Sequence, residues 1–184
     1  MQNVFAKSEE KMQKAVNAIR SEFAGVRTGR ASATLFDRIM VDYYGTKTPL
    51  KQVANISTPE AQLAIIQPWD KSSISTIEKA IMSSDLGVTP SNDGNVIRVP
   101  FPPLSEERRK EFVKLVKKMA EEGKVGIRNV RHEARDDLAQ LEKDKAVSED
   151  DRKRGEKKID ELTEKYVKEI DALLQHKEKE LMEV

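Results

Sequence analysis

Lys110, Lys114, Lys117, Lys124, Arg128, Arg131 and Arg135 recur at helical spacing within one segment of the chain. At about 100° per residue they fall inside a sector of roughly 100°, interrupted only by Glu121. The large aliphatics of the same segment occupy another sector, centred about 120° away, and Glu111, Glu122, Glu133 and Asp136 lie mostly on the third side. Cations and acids are sorted rather than mixed. From Lys110 to Arg135 the row extends about 38 Å along a helix axis. The chemistry open to such a row is recognition of a polyanion, because phosphates repeat over similar distances along a folded nucleic acid. Arginine adds forked hydrogen bonding to phosphate or base edges, which lysine cannot supply. The pattern does not distinguish DNA, RNA and acidic protein. The competing reading is a solvated face paired with acids of a neighbouring helix.

Other chemistry is thinner. His132 follows Arg131, and His176 is the only other histidine, so a histidine metal site has too few ligands. The chain has no cysteine, which removes disulfides and thiolate sites. GVRTGR, residues 25–30, sets small residues and two cations at a helix end and could cradle an anion, but it lacks P-loop spacing and reads as a helix stop. Tyr43 and Tyr44 could stack on bases, although Tyr43 reads better as core. There is no Ser–His–Asp arrangement, no dinucleotide fingerprint and no carboxylate pair in an apolar setting. The expectation is a protein that is not an enzyme, with no cofactor and no metal.

The elements that would position the basic row are long helices. Charged residues make up 35% of the 184 and aromatics only 5%, a balance that favours helices with solvated faces, while a hydrophobic fraction of 38% with clear periodicity argues against disorder. The net charge of +1 is a sum of uneven pieces: residues 1–30 carry six cations against three acids, and residues 148–184 carry nine against twelve. The first residues lack the apolar run of a signal peptide and no stretch is long enough to span a bilayer, so a cytoplasmic protein is expected.

Residues 1–28 read as an amphipathic helix with Phe5, Met12, Val16, Ile19, Phe23 and Val26 on one face and Gly29 as its stop. From Ala31 the period changes. Ile39, Val41 and Tyr43 alternate with Met40, Asp42 and Tyr44 as in a strand facing a core. QLAIIQPW and NVIRV are further short β-branched runs, and Ile74, Ile77 and Ile81 mark one short helix between them. After PFPPL the helical period returns: Ser105 is an N-cap, the apolar face runs from Phe112 to Leu141, and Gly123 and Gly126 sit on or beside that face. The helix is expected to reach about residue 145. Ser148 with Asp151 begins a third helix, with Ile159, Leu162, Tyr166, Ile170, Leu173 and Leu181 inward. Three long helices with one apolar stripe each bury it as a three-helix bundle. The fold class is therefore α+β, with a discontinuous bundle from 1–30 and 105–184 and an inserted small mixed β/α domain at 31–104.

VRTGRAS (26–32), YYGTKTPL (43–50), NVIRVPFPPLSEERRKE (95–111) and IRNVRHEAR (127–135) closely resemble the ribosome recycling factors of bacteria and organelles, in the same order and spacing from end to end. The resemblance implies an L-shaped, hinged molecule whose bundle lies on large-subunit ribosomal RNA. Elongation factor G with GTP would act on the small domain and split the post-termination ribosome, freeing mRNA and tRNA. It implies a monomer that makes no membrane contact. It assigns RNA contacts to Arg128 and Arg131 through IRNVR and to Arg27 and Arg30 through VRTGR, with Lys110, Lys114, Lys117, Lys124 and Arg135 added from the helical wheel. It places a hinge at Arg30, Ala31, Pro102, Pro103, Leu104 and Ser105. Two departures stand out: His132 where many members have a second arginine, and Lys47 where many have proline.

Overall fold

The computed structural model describes residues 1–183. In chain order the elements are α1 (Gln2–Ala24), β1 (Met40–Tyr43), β2 (Thr46–Pro49), β3 (Ala54–Glu60), β4 (Leu63–Pro68), α2 (Ile74–Met82), β5 (Ser91–Asn92), β6 (Ile97–Pro100), α3 (Glu106–Lys143) and α4 (Glu149–Met182). This is the α+β class expected. The chain forms two compact units, Met1–Phe23 with Val113–Lys179, and Ala24–Phe112 with the residues from Glu180 onward. No described helix is long and apolar enough to cross a membrane.

The first unit is helical. Met12, Val16, Ile19 and Phe23 of α1, Val116, Ala120, Ile127, Ala134 and Leu138 of α3, and Ile159, Tyr166 and Ile170 of α4 are buried. These are the stripes the periodicity marks, each too apolar to face water and each covered by the other two. Both long helices start on a serine: the amide of Arg108 donates to Ser105 Oγ at 3.2 Å and that of Asp151 to Ser148 Oγ at 3.1 Å. α3 stops at Lys143, where Lys145 turns left-handed (φ 58°) and the amides of Ala146 and Lys145 close back on the carbonyls of Leu141 and Glu142.

Where the three helices come closest there is no room for a side chain. A Cβ on Gly123 would meet Ile19 Cγ1 at 2.6 Å and Ile170 Cδ1 at 3.2 Å, whereas one on Gly126 would meet nothing within 4 Å. The two glycines therefore respond oppositely to alanine. Gly126→Ala raises the unfolding free energy by about 1 kcal/mol through helix propensity. Gly123→Ala gains the same propensity but overpacks at about 1–3 kcal/mol, and so lowers stability. Urea unfolding of the two variants, followed by circular dichroism, checks the opposite signs.

The second unit carries an antiparallel four-stranded sheet in the order β3-β4-β6-β5 and a separate β1–β2 hairpin. Phe36, Leu50, Ile66, Ile77, Ile81, Ile97 and Phe101 are its largest fully buried side chains, with the Phe36 and Phe101 rings edge to face at 6.0 Å. Val41 points inward from β1 and Met40 outward, and Ile39 just ahead of the strand is buried as well, as the alternation requires. The hairpin turns through Tyr44 and Gly45, both at positive φ (50° and 80°), which matches the twist of the strands it joins. Lys47 stands opposite Asp42 in this ladder, an opposite-charge cross-strand pair that suits lysine at the position.

Between β5 and β6 the Asp93 carboxylate accepts from the amides of Asn95 and Val96 at 2.9 and 3.0 Å and from Arg98 Nη1 at 2.9 Å. Those donors, the Val96 amide foremost, favour the ionised form and pull its pKa from 3.8 down to about 2. Because the folded value lies below the ordinary one, the turn's contribution is complete above pH 3.8 and is lost as the pH falls through about 2. In Asp93→Asn this part of the acid dependence disappears, which urea midpoints measured across that window will show.

One boundary differs from the sequence expectation. α1 ends at Ala24, not at Gly29. Val26 is still buried, but in a bend beyond the helix, and the next residue is committed elsewhere: Arg27 Nη2 donates to the carbonyl of Pro102. The helix thus stops at the first glycine of GVRTGR, Gly25, and the tertiary bond of Arg27 follows it.

Candidate nucleic-acid interface

α3 presents the basic row as a rigid feature, but not as seven unpaired charges. Five of the seven cations have carboxylate partners. Arg135 Nη2 holds both oxygens of Asp160 at 2.8 and 2.6 Å, Lys124 pairs with Asp171, and Lys117 reaches Glu178 at 3.6 Å. All three partners lie on α4, so this flank of the row stitches two helices together. Lys124 is the most committed, with only 16% of its side chain exposed. The competing reading given above, pairing with a neighbouring acidic helix, describes these three residues.

The outward flank behaves differently. Arg128 donates to Glu121 at 3.0 Å and Lys110 to Glu106 at 2.8 Å, both within α3 and both solvent-exposed. Exposed pairs of this kind are worth about 0–1 kcal/mol and exchange readily for a better anion. Glu121, the one acid interrupting the sector, is therefore a counter-charge for Arg128. Lys114 and Arg131 form no ion pair among the described residues. The Arg131 Nε is buried without an acceptor, as is that of Arg135, so what sets Arg131 apart from Arg135 is the lack of an ion pair. Arg128, Arg131 and Lys114 are the cations most available to a phosphate.

The residues of VRTGR separate in the same way. Arg30 is exposed and its side chain makes no ion pair among the described residues. Arg27 is engaged: besides its bond to Pro102, its guanidinium lies over the Phe101 ring at 5.6 Å, and its Nε is buried without an acceptor. Burial lowers its pKa, with the nearby Arg108 charge adding to the effect. Arg109 escaped the sequence reading. Its Nε and Nη2 both donate at 3.3 Å to the carbonyl of Leu104, five residues back and just ahead of α3, a local bond that no spacing rule signals. His132 is exposed beside Arg131.

A long helix with cations free of ion pairs offers a surface to an anion, and comparison with known proteins gives the class, a factor of protein synthesis. Residues 6–182 match the family model described as Ribosome recycling factor. The chain is 52% identical over 184 residues to the ribosome-recycling factor of Syntrophomonas wolfei, covering 100% of both chains, and 55% identical over 177 residues to that of Acidothermus cellulolyticus, covering 96% of each. A solution structure of the ribosome recycling factor superposes with a TM-score of 0.82 at 46% identity, over 100% of this chain and 97% of that one. A chain from models of the T. thermophilus ribosome recycling factor and the E. coli elongation factor G bound to the E. coli post-termination complex gives 0.69 at 41%, over 99% and 98%. The chain belongs to the ribosome recycling factor family.

Proposed function

We propose that this protein splits post-termination ribosomes: its bundle binds large-subunit ribosomal RNA, and elongation factor G with GTP acts on its small domain to drive the subunits apart, releasing mRNA and tRNA. The observation that carries the RNA-facing part is Arg131, a guanidinium on a long helix that, unlike Arg128 and Arg135, forms no ion pair among the described residues. Arg128, Lys114 and Arg30 join it as contacts, and Lys110 adds charge at the near end of α3. Lys117, Lys124 and Arg135 contribute field rather than direct contact, since their carboxylate partners on α4 already hold them.

In this reading the bundle comprises 1–30 and 105–184 and the small domain 31–104, with the hinge at Arg30, Ala31 and Pro102–Ser105. The protein works in the cytoplasm as a monomer and as a mechanical part, not an enzyme. It carries no cofactor of its own, and the partner GTPase supplies the energy. The relative bound with elongation factor G to a post-termination complex supports the assignment of partners. The test is subunit splitting on purified post-termination ribosomes with elongation factor G and GTP. Dissociation that depends on this protein is expected, and ribosomes left intact would overturn the proposal.

A further inference from the structure

The connecting segments of the second unit are not equivalent. In the outgoing segment, Phe101–Ser105, two of the five residues are prolines without an N–H, so the backbone there offers mainly acceptors. Those acceptors are taken by guanidinium groups: Arg27 donates to Pro102 O, and Arg109 forks onto Leu104 O at 3.3 Å from both Nε and Nη2. The segment is fixed at both ends as well. The Phe101 amide donates to Gln62 O at 2.7 Å while its ring is fully buried, and Ser105 caps α3. The incoming segment is held more lightly, its Arg30 amide donating at 3.3 Å to Thr28 Oγ1 within the same segment. Thr28, Gly29 and Arg30 make no backbone–backbone hydrogen bond outside helices and strands, and Gly29 has open space around it. The next backbone anchor is Ala31, whose amide donates to Ala61 O at 2.7 Å.

We infer that Arg27 and Arg109 are positioning residues that strap the proline-rich segment in place, so that Thr28–Arg30 is the compliant strand of the connection and Phe101–Ser105 the stiff one. Arg27 then acts through the chain path rather than as a contact to RNA. Its lowered pKa and its packing on Phe101 agree with a group withdrawn from solvent. The functional half of this inference rests on the proposed splitting activity, whereas the mechanical half stands on the isolated protein.

The absence of native cysteine makes the test clean. Cysteines introduced at the exposed positions Lys51 and Lys157, one in each unit, are the only thiols for a pair of spin labels. The expected result is a broader distance distribution in Arg27→Met and in Arg109→Met than in the otherwise unsubstituted chain. Arg27→Lys, which keeps a charged donor, restores most of the width. With ribosomes, Arg27→Met binds large subunits within about threefold of the parent but splits them at least about fivefold more slowly. An unchanged distribution in both methionine variants overturns the strap. So does a loss of large-subunit affinity of about tenfold or more in Arg27→Met with the distribution unchanged, which would make Arg27 an RNA contact. Should Arg27→Met fail to fold by circular dichroism, Arg109→Met decides. A parent chain that splits no ribosomes defeats the functional proposal alone, because the distance measurement needs no ribosome.

Discussion

Arg131→Ala weakens binding to the large ribosomal subunit by about 1–3 kcal/mol while the far-UV circular dichroism of the protein stays unchanged. The size of the effect follows from what the guanidinium lacks. It forms no ion pair in the free molecule, so binding need not break one, and its removal leaves no orphaned carboxylate behind. Arg135→Ala makes the contrast. There the lost partner leaves Asp160 alone on α4, and the cost appears as a small loss of stability, about 0–1 kcal/mol for a half-exposed pair, with binding little changed. Arg128 falls between the two, because Glu121 must be displaced before a phosphate can take its place. Sedimentation with large subunits, run beside thermal melts, separates the three cases. Equal losses of affinity at 131 and 135 would show that the row acts as diffuse charge after all.

The second large effect concerns the core that holds the connecting segment. Phe101→Ala lowers unfolding free energy by about 3–5 kcal/mol, the usual range for emptying a fully buried aromatic site. Three things go together: the edge-to-face contact with Phe36, the surface under the Arg27 guanidinium, and a place in the buried cluster shared with Ile97 and Val99 of β6, the strand that runs into Phe101. Phe101→Leu retains much of the volume and costs less, about half as much. Urea midpoints for the two variants check the order. A loss below about 1 kcal/mol for alanine would mean the site collapses without penalty.

Much of this was legible in the residues. The helical stripes were, because burial of one face leaves a period that no other element imitates. The caps at Ser105 and Ser148 were, because a hydroxyl before acidic residues satisfies free amides in one known way. β3 was not: ANISTPE holds a proline and four consecutive exposed positions at its far end, so it shows no alternation, and only its ladder with β4 makes it a strand. The end of α1 was legible in part: GVRTGR reads as a stop, but it is the first of its glycines, Gly25, and not Gly29 that follows the last helical residue. The basic row was legible as a sector but not as two flanks. Which cations face α4 depends on how the helices are rotated, and three acids on another helix, Asp160, Asp171 and Glu178, decide it. Sequence periodicity gives the face of a helix; charge pairing across helices needs the packing.

Glu121 has a bearing on discrimination that reaches past its own ion pair. By occupying Arg128 in the free protein, it sets a threshold that an incoming anion must exceed. A lone phosphate on a mobile strand, hydrated and screened, offers little more than the carboxylate already in place. A phosphate held rigidly in a large assembly, with Arg131 engaged at the same moment, offers a good deal more. In the proposed function this competitor, worth no more than about 1 kcal/mol for an exposed pair, slightly favours held phosphates over loose RNA, and Glu121→Gln is expected to tighten adhesion to both by a few-fold at most.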